Sequence, residues 1–124
     1  MLITRVLSGA ALLLGLSWAG ASPAVAHAFL DHAAPRVGST VSPPPSELSL
    51  SFTQELEPAF STVEVVDESG TKVDKGDVQV DPQDGALLRV SLDPLPPGTY
   101  KVIWRVVSVD THPTEGDFTF QVAP

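Results

Sequence analysis

Between Tyr100 and Phe120 the chain reads Y-K-V-I-W-R-V-V-S-V-D-T-H-P-T-E-G-D-F-T-F. Tyr100, Val102, Trp104 and Val106 recur at period two, which puts four large apolar side chains on one face of an extended strand. Gly116–Val122 repeats the pattern with Phe118, Phe120 and Val122. Glu47–Thr53 does so again, with Leu48, Leu50 and Phe52 inward and Glu47, Ser49, Ser51 and Thr53 outward. Ser61–Asp67 and Ala86–Leu92 add two more strands, and His27–Ala34 and Val37–Val41 are short strand candidates. Gln54–Pro58 reads as a loop or a single helical turn, and Thr71–Val80 as a weak edge hairpin around Lys75-Gly76. Asp81–Gly85 and Pro94–Gly98 are turns. Turn signals at intervals of about 8–12 residues, with no useful helical periodicity, predict about seven strands. The fold class is all-β: a Greek-key, Ig-like β-sandwich or barrel. The twelve prolines fall mainly at turns, as such a chain requires. Trp104 belongs to the core on this reading.

The first 26 residues read differently. Arg5 supplies a basic flank, Ala10–Trp18 an apolar core, and Ala24-Val25-Ala26 a small-x-small cleavage site, the grammar of a secretory signal peptide. The apolar run falls short of the roughly 20 residues that span a bilayer. The expected division is therefore 1–26 signal peptide and 27–124 one small β domain, free of the membrane once cleaved. There are no cysteines, so no disulfide framework holds it. Loss of Arg5 leaves six Lys+Arg against fifteen Asp+Glu, a balance of −9 with His neutral. That charge disfavours nucleic acid and anionic lipid and suits a cation, although an acidic surface also simply keeps an exported protein soluble.

Ser108, Asp110 and His112 continue the register of the Tyr100 face. If the strand stays extended, a carboxylate and an imidazole leave the end of the core face on one side, two residues apart. Asp-Thr-His-Pro equally reads as a capped turn. Cleavage after Ala26 would make His27 the first residue. Its α-amine, with an intrinsic pKa of about 8, and its Nδ1 can then close a six-membered chelate ring on one ion. With His112 and Asp110 this makes an N₃O donor set, which suits Cu(II) best among common divalent ions. The expectation is that an N-terminal strand lies beside the end of the Tyr100–Val109 strand and brings the groups together. His32, about 16 Å along an extended chain from His27 and on the opposite face, reads as a surface residue.

The stretches H-A-F-L-D-H-A-A-P-R-V-G-S, L-S-L-S-F-T and G-T-Y-K-V-I-W-R-V-V-S-V-D-T-H-P-T-E-G-D-F-T-F-Q-V resemble the CopC family of periplasmic copper-binding, or copper resistance, proteins. The resemblance covers the whole chain after Ala26. It implies a Greek-key barrel or sandwich and a Cu(II) site built from His27, Asp110 and His112, one ion per chain. It further implies a monomer that buffers, sequesters or delivers copper, with hand-over to an inner-membrane protein of CopD type. Some relatives carry a second, Cu(I) site in a Met-rich loop. Here the only methionine is Met1, so the Cu(II)-only type is expected. Relatives often place an acid where Gln54 stands, which leaves Glu55 as the available substitute, pointing the other way in an unbroken strand. Two other functions remain open: a copper-dependent oxidative enzyme with a histidine brace, and a metal-free β-sandwich interaction module. Asp110 in the position that oxygen needs, a short chain and few aromatics weigh against the enzyme.

Overall fold

A computed structural model describes residues 27–124. The signal peptide expected over Met1–Ala26 lies outside the described residues. Eight strands form among them, one more than expected: β1 Leu30–Ala34, β2 Thr40–Val41, β3 Glu47–Phe52, β4 Thr62–Val66, β5 Gln79–Asp81, β6 Asp84–Ser91, β7 Gly98–Val107 and β8 Pro113–Val122. They make two four-stranded sheets, ordered β1-β3-β6-β5 and β2-β8-β7-β4. The chain changes sheet at every step from β1 to β5 and again from β6 to β7, the Greek-key path expected. All pairings are antiparallel except β2 with β8.

The period-two faces meet between the sheets. Leu48, Leu50 and Phe52 of β3 and Leu88 and Val90 of β6 bury from one side. Val63 and Val65 of β4, Tyr100, Val102, Trp104 and Val106 of β7, and Phe118, Phe120 and Val122 of β8 bury from the other. Tyr100 stacks on Phe120 with ring centroids 5.6 Å apart, and its hydroxyl donates to the Pro96 carbonyl four residues upstream, fastening the turn into β7. Trp104 meets Phe52 edge-on across the sandwich at 5.2 Å.

The expected hairpin at Thr71–Val80 does not form. Lys72 and Asp74 make single bridges to Val66 and Leu92, and only Gln79–Asp81 pairs as a strand. This segment crosses between the sheets, held by the buried Asp74 carboxylate. It accepts the N–H groups of Val65 at 2.8 Å and Gly76 at 2.9 Å, with Lys72 Nζ 3.6 Å away. A side chain substitutes here for ladder bonds that the backbone cannot make. The turn expected over Asp81–Gly85 is tighter, because β6 already starts at Asp84. The Gln54–Pro58 loop bridges to the β7 end through Leu56 and runs into a 3₁₀ turn, Pro58–Phe60.

β7 and β8 pair over ten residues, with Trp104 opposite Gly116. The Trp104 indole lies across the Gly116 backbone, where an added Cβ would come within 2.6 Å of the ring. Neither a rigid indole nor a central strand gives easily. Gly116→Ala is therefore expected to cost about 1–3 kcal/mol as an overpacked site. Urea denaturation followed through Trp104 fluorescence checks this; an unchanged midpoint contradicts the packing described.

Candidate metal centre

β7 stops at Val107 and β8 begins at Pro113, so Ser108–His112 is a five-residue connection rather than continuing strand. The turn alternative, not the extended one, is what forms. Thr111 N–H donates to the Ser108 carbonyl at 2.8 Å and Ser108 N–H to the His112 carbonyl at 3.2 Å. Thr111 takes a φ of +73°, a left-handed conformation uncommon for a β-branched residue. Neighbouring backbone braces the turn: Val109 N–H bonds the Glu55 carbonyl at 3.0 Å and Glu57 N–H the Val107 carbonyl at 2.8 Å.

The turn still brings the expected pair together. Ser108, only 1% exposed, donates its hydroxyl to Asp110 Oδ1. That bond, with His112 alongside, holds the Asp110 carboxyl below its ordinary pKa, so Asp110 is an anion at neutral pH. His112 Nδ1 lies 3.3 Å from the same Oδ1 without a hydrogen bond between them. Nδ1 is thus shielded from water and has no hydrogen-bond partner, the one such side-chain atom among the described residues. A shielded nitrogen without a hydrogen bond, beside a carboxylate oxygen, is suited to donate to an ion.

His27 arrives from the other sheet. β1 pairs with β3, not with β7, whose two edges are taken by β4 and β8; the expected side-by-side strands are therefore not found. The groups meet across the open end of the sandwich instead. The His27 and His112 rings lie with centroids 5.0 Å apart at 75°, and Phe29 packs on His27 at 6.0 Å. Among the described residues no group of three or more His, Cys, Asp or Glu side chains is gathered tightly enough to hold an ion unaided. In the full chain the main-chain nitrogen of His27 is a peptide nitrogen; it could act as an amine donor only if the chain were cut before it.

His32 stays outside this group. β1 bulges between Leu30 and His32, and the exposed His32 ring pairs with Asp31 at 2.9 Å. Glu55 contributes its backbone, while its side chain turns to Gly85: a Cβ there would sit 3.3 Å from Glu55 Cγ. Three hydroxyls carry more than the sequence suggested. Ser108 fixes Asp110, and Thr53 and Thr114 bond the backbone of residues 27–29. Thr114, near the start of β8, stands two positions after His112, a spacing that carries little weight alone.

The CopC domain family matches residues 30–123. Copper resistance protein C of Xanthomonas campestris pv. juglandis is 36% identical over 128 residues, spanning 98% of this chain and 99% of its own. The crystal structure of CopC from Methylosinus trichosporium OB3b superposes with a TM-score of 0.74 at 33% identity, covering 79% of this chain and 95% of that one. PcoC of Escherichia coli, described as a methionine-rich copper resistance protein, gives 0.69 at 35% identity over 78% of this chain and 99% of its own. The chain belongs to the CopC family of copper resistance proteins.

Proposed function

We propose that this protein is exported, cleaved after Ala26, and binds one Cu(II) ion in the periplasm through His27, His112 and Asp110. Copper is its cargo. The single observation that carries the reading is the meeting of the His27 and His112 rings, 5.0 Å apart, beside the unpartnered His112 nitrogen. The α-amine and Nδ1 of His27 supply two neutral nitrogens, His112 a third and Asp110 an anionic oxygen, a tetragonal N,O set matched to Cu(II). No step of bond making or breaking is required of the residues. The 27–124 domain works as a monomer that buffers copper and passes it to an inner-membrane protein of CopD type.

The redox preference follows from what the chain lacks. Soft thioether ligands favour Cu(I). PcoC is named methionine-rich, whereas the single methionine here is Met1, which departs with the signal peptide. A metal-free module is disfavoured because it leaves the His112 nitrogen shielded and unpaired. The oxidative-enzyme alternative is disfavoured because Asp110 stands beside His112, 3.3 Å from its ring nitrogen, where oxygen would have to bind.

One extra alanine ahead of His27 converts the amine to an amide and breaks the chelate. Cu(II) affinity, measured by chelator competition, is expected to fall by more than the roughly 10–100-fold typical of outer-shell changes. His112→Ala should do the same, and His32→Ala should leave affinity unchanged. Retention of full affinity by the extended chain, or its loss in His32→Ala, refutes the ligand set. Acid should release the ion, since each nitrogen donor binds copper only while unprotonated. Asp110, held below its ordinary pKa chiefly by the Ser108 hydroxyl, stays ionised in mild acid, so copper lost there is not lost through its oxygen. Binding that survives intact at about pH 5 contradicts a nitrogen-dominated site.

A further inference from the structure

Residues 27–29 precede β1 and belong to no strand, yet their backbone is bonded at every residue. Thr114 Oγ1 donates to the Ala28 carbonyl at 2.7 Å. Thr53 Oγ1 accepts the Phe29 N–H at 3.0 Å and donates to the His27 carbonyl at 3.3 Å, and Thr53 N–H bonds the Phe29 carbonyl at 2.9 Å. Between these bonds the Ala28 methyl is fully buried in the core. Chain ends normally fray. Here residues 27–29, which would become the chain's end on the proposed cleavage after Ala26, are tied to β8 of one sheet and to the residue following β3 of the other.

We propose that Thr53 and Thr114 are positioning residues for the copper ion, acting through the backbone of residues 27–29; this rests on the Cu(II) site proposed above. Thr114 follows His112 by two residues, so one hydrogen bond links the start of β8, just after His112, to the residue after His27. The distance between the two imidazoles is thereby set by a short, stiff path. Thr53 acts on orientation. Its hydroxyl fixes where the His27 carbonyl points, and the amine and imidazole, on the same Cα, are then aimed away from β3 and toward His112. Both residues are β-branched, with few side-chain rotamers, so each hydroxyl has a defined direction. Ordering the chelating residue before the ion arrives removes that cost from binding.

The tests use the chain beginning at His27. Thr114→Val and Thr53→Val keep the branched shape and lose the hydroxyl. Each is expected to weaken Cu(II) binding about three- to tenfold, the worth of one neutral hydrogen bond. In the metal-free chain each should also speed amide hydrogen exchange at Phe29. The Cu(II) electron paramagnetic resonance spectrum should split into more than one component as His27 samples several poses. Thr114→Ser should restore all three readouts, and Thr119→Val, an exposed site farther along β8, should alter none. Wild-type affinity and exchange in both valine variants overturns the proposal. If an extra residue ahead of His27 leaves wild-type binding intact, the ligand set itself is wrong and the positioning role falls with it. If that extension abolishes binding while the valine variants bind normally, the positioning role alone is wrong. Should Thr114→Val fail to fold, Thr53→Val decides, because Thr53 lies outside every ladder.

Discussion

The ten-residue ladder between β7 and β8 is what the rest of this structure stands on. It delivers seven buried side chains to the core from Tyr100, Val102, Trp104, Val106, Phe118, Phe120 and Val122. It also fixes both ends of the Ser108–His112 turn. A connection of five residues between two rigid strands has few conformations available, and the one adopted places a carboxylate and an imidazole together. The Trp104–Gly116 contact locks the register on which that depends, since a one-residue slip would turn every inward side chain outward.

The second half of the site reaches the ladder from outside its sheet. A β-sandwich leaves its two ends open, and backbone arriving there must find bonds beyond any ladder. Side-chain hydroxyls supply them at residues 27–29, as the Asp74 carboxylate does at the crossover between sheets. The fold thus uses the same device twice: a polar side chain stands in for a missing strand neighbour. At one place it secures the fold, and at the other it leaves two imidazoles face to edge.

Much of this was legible in the sequence, for a physical reason. Strands buried on one face must alternate, so Leu48, Leu50 and Phe52, or Phe118, Phe120 and Val122, declare their orientation without any tertiary knowledge. The CopC signature then named His27, Asp110 and His112 together. What escaped was set by long-range bonds. Thr71–Val80 forms no hairpin of its own; Asp74 reaches the backbone of β4 and Gln79–Asp81 pairs with β6, which no local pattern encodes. The strand through Ser108 ends early because Thr111 goes left-handed, a conformation its β-branched side chain argues against. The expectation that the N-terminal strand lies beside β7 failed because β4 and β8 already occupy both β7 edges. Thr114 and Ala28 are 86 residues apart, and nothing near either announces the other.

The central claim is that a newly exposed His27 closes a one-ion copper site with residues from the far end of the chain. Native mass spectrometry of the secreted protein, with and without Cu(II), tests this most directly, since a single spectrum gives both the N-terminus and the stoichiometry. The account predicts a chain starting at His27 that gains the mass of one copper ion. A chain starting elsewhere that still takes up one tightly held copper, or a His27 chain that takes up none, contradicts it.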